Sequence, residues 1–206
     1  MNNNDLKNRY QSQIKMLKEL CVTAKYRLFT EISKKKIKIH SLEDRIKTFD
    51  SFLDKMKRKK TKEPFREIQD LLGLRIVCLF RSDLYSIRTI IRDIFEVIEE
   101  DNKIDNTAAN IFGYMGIHFI VKLKNVSGED QMPIGDLPFE VQLRTIGQHA
   151  WASISEYLYY KQETSVPRNL RRDFYALSGL FHVADSQFEI LRKQQLESLL
   201  QGQIQV

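Results

Sequence analysis

Residues 71 to 80 read LLGLRIVCLF, a run in which only Gly73 and Arg75 interrupt apolar, largely branched side chains. A strand of this composition needs cover on both faces, so it predicts a central strand in a sheet flanked by helices. That requirement organises the rest of the chain.

FEVQLRT, 139 to 145, alternates instead. As a strand it sends Phe139, Val141 and Leu143 to one side and Glu140, Gln142 and Arg144 to the other, because strand side chains alternate with period two. YMGIHFIVKLK (114 to 124) does the same, with Ile117, Phe119, Val121 and Leu123 opposite Tyr114, Gly116, His118 and Lys122. The loop NVSGEDQMPIGDLP joins these two strands, which predicts an antiparallel pair. FEVIEEDNKID is a further strand running into an acidic turn.

Helices account for the remainder. Leu6, Tyr10, Ile14, Leu17, Cys21, Ala24 and Leu28 recur at steps of three and four, predicting one long amphipathic N-terminal helix. SKKKIKIH (33 to 40) then turns toward alternation, and Thr48 is placed to cap FDSFLDKMKRKK, whose buried stripe is Phe49, Phe52, Leu53 and Met56. Ser82 or Asp83 is expected to cap SDLYSIRTIIRDIF, and Thr145 a helix running to about Lys161. Pro167 opens a last helix in which Leu170, Phe174, Leu177, Phe181, Ala184, Phe188 and Leu191 keep a 4-3 spacing for three heptads, a seam for packing on the domain or for an oligomer contact. With no repeat and no Gly/Ser-rich linker, residues 1 to 206 are expected to form one α+β domain: a core at about 40–162, with helical additions at 1–36 and 167–200.

A 42% apolar content is enough to fill a core at this length, and the net charge of +6 points to polyanionic company: nucleotides, RNA or an acidic protein. Cys21 and Cys78 lack metal-ligand spacing, which points to reduced thiols. No apolar run approaches the roughly 20 residues that span a bilayer, and MNNNDLKNRY has no signal-peptide character. A cytoplasmic protein without membrane attachment is expected.

Four polar clusters sit at element ends. Arg45 and Lys47 precede a helix on which Ser51 and Lys55 lie one turn apart, an arrangement that holds phosphates or is simply a solvated face. Asp70 stands before the central strand, where it is a turn residue or a ligand, and Gly73 permits close approach. Tyr114 and His118 share a strand face, as an edge pair or as a base-stacking ring beside a phosphate contact. Glu140 alone would pair with Arg144; with Asp70 on a neighbouring strand, the two carboxylates repel unless a cation lies between them.

In order, RIKTFDSFLDKMKRK, IQDLLGLRIVCLF, FGYMGIHFIV, FEVQLRTIGQHAWASISEYLYYK and RRDFYALSGLFHVADSQFEILRK resemble the synthetase domain of the RelA/SpoT family over roughly residues 40 to 190. The resemblance implies a mixed sheet flanked by helices, related to nucleotidyltransferases, with long terminal helices. It implies a Mg²⁺-dependent enzyme that moves the pyrophosphate of ATP to the ribose 3′-hydroxyl of GDP or GTP. On that basis Arg45 and Lys47, supported by Lys55, bind ATP phosphates. Asp70 is the principal Mg²⁺ ligand, and Glu140 shares the metal or draws the 3′-hydroxyl proton. Tyr114 stacks on the acceptor base, His118 approaches acceptor phosphate or ribose, and Gln142 and Arg144 order the strand and its phosphate contacts.

Departures fall on the acceptor side. The family's common Pro-Lys-x-Asn-Gly-Tyr is here Asn110, Ile111, Phe112, Gly113 and Tyr114; Met115 and Gly116 stand for Arg-Ser; and Ser153, Ile154, Ser155 and Glu156 replace Glu-x-Glu-His. No His-Asp dipeptide occurs, and the length leaves no room for a hydrolase or ribosome-sensing domain, so the resemblance is to small stand-alone synthetases; a homo-oligomer is expected. These synthetases include toxins that pyrophosphorylate the 3′ end of tRNA and are neutralised by an antitoxin. Lys34, Lys35 and Lys36, with Lys57, Arg58, Lys59, Lys60 and Lys62, would guide an RNA backbone or be solvated helix ends. An inactive nucleotide- or RNA-binding module is the third reading; binding alone does not require both carboxylates.

Overall fold

A computed structural model describes residues 3–102, 116–124, 134–159 and 168–204. Helix α1 (Asn3–Lys34) leads into strand β1 (Ile39–Ile46), followed by helices α2 (Phe49–Lys59) and α3 (Pro64–Glu67) and strand β2 (Leu72–Cys78). Helix α4 (Arg81–Ile94) precedes strands β3 (Phe95–Asn102), β4 (Ile117–Leu123) and β5 (Phe139–Thr145), and helices α5 (Ile146–Tyr159) and α6 (Arg168–Ile204) close the chain. The five strands order as β1-β2-β5-β4-β3. β2 and β5 run parallel, while β1–β2, β4–β5 and β3–β4 pair antiparallel. The expected mixed sheet and the antiparallel β4–β5 pair are both present.

One face of the sheet is apolar and closed. Leu74, Val141 and Phe119 stand in register across β2, β5 and β4, and all three are buried. Leu17, Leu20, Ala24, Leu28 and Ile32 of α1, and Leu84, Ile87, Ile90 and Ile91 of α4, belong to the same core cluster. The N-terminal helix is therefore built into the core. A buried Leu, Ile or Phe contributes on the order of 1.5–3 kcal/mol.

The other face is polar and partly open. Here the expectation of a β2 covered on both sides needs correction, because Gly73 and Arg75 remain half-exposed and only Ile76, Val77 and Cys78 form an unbroken buried stretch. α5 packs against β2 and β5. Most of β1 escaped the sequence reading: as an edge strand carrying Glu43, Asp44 and Arg45, it lacks a two-period apolar pattern.

Helix starts divide into two kinds. Thr48 caps α2 as expected, its Oγ1 accepting from the Ser51 N–H at 3.3 Å. Neither Ser82 nor Asp83 caps α4, whose N-cap position is Phe80 without a side-chain bond. Instead Glu189, from α6, accepts from the Ser82 N–H at 3.0 Å, and the buried Asp83 is paired with Arg192 at 2.7 Å. Thr145 does cap α5, exchanging bonds with Gln148 in both directions. It also donates to Asp185 of α6, whose carboxylate fills the space a side chain at Gly147 would need.

The seam of α6 is the second correction. The helix docks through polar Ser178, Asp185 and Arg192, while Leu170, Leu177, Phe188 and Leu191 stay 42–60% exposed. Phe174 of the same pattern packs on Trp151 of α5 with ring centroids 5.0 Å apart, and Phe181 and Ala184 are half-buried, so the 4-3 pattern marks only part of the face that lies on the domain. Lys161 and Pro167, named above as helix bounds, lie outside the described residues.

Candidate active site

The open face is organised by register. Glu43, Arg75, Gln142, His118 and Asp101 form one row straight across β1, β2, β5, β4 and β3. In the adjacent row Arg45 and Glu140 flank Gly73 on either side of β2. A Cβ on Gly73 would lie 3.8 Å from Glu140 Oε2, so the glycine leaves the space between the arginine and the carboxylate clear.

Glu140 is gripped at both oxygens. His118 Nδ1 lies 3.1 Å from Oε1, and Gln142 Nε2 donates to Oε2 at 2.8 Å. Burial pushes its carboxyl up, but the bond and charge of His118 and the Gln142 amide outweigh it, and the group is held below the ordinary glutamate range. The pairing with Arg144 expected of an isolated Glu140 is not the one formed. Arg144 is itself half-buried, with its Nε buried and unpartnered, and burial together with the Arg75 charge lowers its pKa to about 10.

Asp70, just ahead of β2, is held by charge. Lys55 Nζ of α2 donates to its Oδ2 at 2.5 Å, and Lys47 Nζ lies 3.3 Å from the same oxygen. Thr48 begins α2 immediately after Lys47, and the helix turn then brings Lys55 back over Asp70. Burial raises the Asp70 carboxyl, yet the Lys55 bond and the two lysine charges prevail and depress it. Its other oxygen, Oδ1, is buried without a hydrogen-bond partner.

That orphaned oxygen tests the fit of a metal. A buried carboxylate oxygen without a donor is costly, and a cation relieves it. Asp70 and Glu140 are close enough for the Asp70 charge to push Glu140 up, the repulsion a shared cation removes. Among the described residues no group of three or more His, Cys, Asp or Glu side chains is placed to hold a metal. Two hard carboxylates that leave positions for phosphate oxygens and water match Mg²⁺ rather than zinc.

Of the residues singled out in the sequence, Lys47, Lys55 and Asp70 meet, and so do His118, Glu140 and Gln142. Arg45 projects from β1 with its side chain 61% exposed, 4.0 Å from Glu156 of α5. Tyr114 lies outside the described residues. Sequence reasoning missed Arg75, whose Nε donates to Gln142 Oε1 at 3.2 Å and whose guanidinium lies 3.6 Å from Glu43. The signal was available, since Arg75 is the sole charge in LLGLRIVCLF. His149 was also missed: burial and then the Arg75 charge lower its pKa.

Residues 44–165 match the family described as "Region found in RelA / SpoT proteins". The chain is 28% identical over 163 residues to GTP pyrophosphokinase YwaC of Bacillus subtilis, covering 76% of this chain and 75% of that one. It is 32% identical over 134 residues to GTP pyrophosphokinase YjbM of the same organism, covering 62% and 59%. The crystal structure of small alarmone synthetase 1 from Bacillus subtilis superimposes with a TM-score of 0.74 at 24% identity, over 92% of this chain and 99% of that one. With the sheet, the two carboxylates and this match in hand, the chain belongs to the RelA/SpoT family.

Proposed function

We propose that this protein transfers the pyrophosphate of ATP to the ribose 3′-hydroxyl of GDP or GTP, making (p)ppGpp, in the cytoplasm. The observation that carries the reading is two carboxylates held ionised by separate partners, Asp70 by Lys47 and Lys55 and Glu140 by His118 and Gln142, with Asp70 near enough for its charge to be felt at Glu140. The similarity to relatives named GTP pyrophosphokinases supports it.

Pyrophosphate transfer needs charge neutralisation and in-line positioning more than an unusual nucleophile. Arg45, Lys47 and Lys55 supply positive charge for the donor phosphates; as these arrive, the lysines turn from Asp70 to phosphate oxygens. Asp70 and Glu140 would hold a Mg²⁺ ion, which when bound neutralises charge on the transferred group. The acceptor 3′-oxygen bonds to the β-phosphorus, the bond from that phosphorus to the α–β bridging oxygen breaks with its electrons leaving on AMP, and the hydroxyl proton passes to Glu140. His118 and Gln142 hold that carboxylate ionised and aimed. Tyr114 is the proposed stacking ring for the acceptor base.

The exposed basic turn of Lys57, Arg58 and Lys59, continuing to Lys60, favours a second acceptor, the 3′ end of tRNA, with an antitoxin partner to restrain it. Incubation with γ-labelled ATP, Mg²⁺ and separately GDP, GTP or bulk tRNA decides. Label on guanosine nucleotide is expected. Label on tRNA alone establishes the second reading, and label on none overturns both.

A further inference from the structure

Both lysines that hold Asp70 are placed through one peptide unit. Lys47 follows the end of β1, and its carbonyl belongs to the Lys47–Thr48 peptide; Thr48 then caps α2, the helix that carries Lys55. The Lys47 N–H donates to the Leu71 carbonyl at 2.8 Å, which ties this segment to the residue after Asp70. The Lys47 carbonyl is left over by α2. The helix ladder begins one residue later, with the Phe52 N–H on the Thr48 carbonyl at 2.9 Å, and the Ser51 N–H is taken by the Thr48 side chain. A part-buried carbonyl ahead of a helix needs a donor from elsewhere in the fold.

Tyr10 of α1 supplies it. We infer that Tyr10 is a positioning residue for the transfer: its hydroxyl, donating to the Lys47 carbonyl, fixes the peptide from which Lys47 and, through the Thr48 cap, Lys55 reach Asp70 and the donor phosphates. The bond is 2.6 Å long and joins residues 37 apart in sequence. Tyr10 is 8% exposed, and its ring lies against Phe49 and Phe52 of α2 with centroids 5.1 and 5.8 Å away. The ring holds α1 to α2, and the hydroxyl reaches past it to the backbone. Leu6, Leu17, Leu20, Ala24 and Leu28 complete the buried stripe of α1 with side chains that carry no polar atom. Packing at position 10 would be served equally by phenylalanine; the donor at the ring tip is what tyrosine adds. Burial pushes the phenol up, so the group stays a donor near neutral pH.

The inference rests on the synthetase reading for its kinetic test and carries a second readout that does not. Tyr10→Phe keeps the ring and removes only the donor. It should raise the KM for ATP about 3- to 10-fold, the scale of one hydrogen bond, with kcat little changed, because the lysines grip donor phosphates alike before and during transfer. Metal-free affinity for the ATP analogue AMPCPP should fall by a similar factor. In a Lys47→Met background the same substitution should add less, since part of what it disturbs is already gone. Phe65→Leu, which loosens the aromatic cluster on the far side of Phe52, should lower the melting temperature without raising that KM. Independently of any transfer, amide exchange at Lys47 and Ser51 should quicken in Tyr10→Phe relative to Val141, which lies between two paired strands. A wild-type chain that transfers no label sinks the synthetase reading, and the exchange pattern still tests the hold on Lys47. If Tyr10→Phe leaves the KM and the AMPCPP affinity unchanged, lowers kcat at constant KM, or speeds exchange equally at all three amides, or if Phe65→Leu raises the KM as much, the tyrosine serves packing alone and the positioning role is overturned.

Discussion

Asp70 and Glu140 are both half-buried and both held ionised, yet they are held by opposite means. Two lysines, Lys47 and Lys55, crowd one oxygen of Asp70 and leave the other bare. Glu140 has a donor on each oxygen, and only His118 among them can carry charge. The difference fits a division of labour. Lysines are mobile, strongly hydrated point charges that can leave Asp70 for an incoming phosphate, whereas an imidazole and an amide fixed in a sheet row stay where they are. One acid is set up to be released by substrate, the other to be kept still.

Removing each acid in turn puts the largest strain on this contrast. Asp70→Asn should reduce pyrophosphate transfer by about a thousandfold, corresponding to several kcal/mol of lost charge stabilisation. Glu140→Gln should reduce it by at least about a hundredfold. Binding separates them: in metal-free calorimetry with AMPCPP, Asp70→Asn should bind more tightly than wild type, because Lys47 and Lys55 are freed and a negative charge is gone. Glu140→Gln should leave metal-free affinity nearly unchanged. Equal behaviour of the two variants in metal-free binding would break the comparison.

The two sites were not equally legible in the sequence. Alternation in FEVQLRT fixes which way Glu140 and Gln142 point, and it also places His118 through the matching alternation of IHFIVKL, so that half of the site follows from period-two geometry alone. The contacts to Asp70 required knowing how α2 folds back, which follows from the Thr48 cap and the helical turn to Lys55 but not from any local pattern around Asp70. What stayed hidden was long-range. Register across the parallel β2–β5 pair joins Arg75 to Gln142 over a separation of 67 residues, and no local period encodes a register between distant strands. The capping of α4 by Glu189 failed for the same reason: Ser82 and Asp83 are good cap residues in isolation, but α6 supplies the acceptor first.

A second test bears on the Glu140 side alone. Gly116 opens the approach to β4, and a Cβ there would stand 2.2 Å from the Leu143 carbonyl oxygen and 2.5 Å from Arg144 Cγ. The side chain of Arg144 could shift, but the backbone of β5 could not without disturbing the strand that carries Glu140. The glycine found here in place of the family's common serine is thus dictated by how closely the two strands approach. Gly116→Ala should cost about 1–3 kcal/mol in urea unfolding, the usual range for forcing extra volume into a packed site. It should also loosen His118, two residues on, and leave the Lys47–Asp70–Lys55 group intact. An alanine variant as stable as wild type would mean that the β4–β5 approach is softer than drawn.

The smallest effect separates the two acids by pH and salt. Both carboxyls lie below their ordinary values of 3.8 for aspartate and 4.5 for glutamate, so each is more acidic folded than unfolded. The unfolded chain therefore binds protons first as pH falls, and each acid contributes stability that is complete above its unfolded value and disappears as pH drops through its folded one. Unfolding free energy should accordingly be flat near neutrality and decline below about pH 4 to 5, and less steeply in Asp70→Asn and Glu140→Gln than in wild type. Salt divides the pair. The Asp70 share depends on lysine charges at a site still partly open to solvent and should shrink from low to molar salt, whereas the Glu140 share, resting on hydrogen bonds within the sheet, should change less. If the two variants show the same salt dependence, the charge-held and bond-held acids are not distinct, and the proposed release of Asp70 by an arriving phosphate loses its footing.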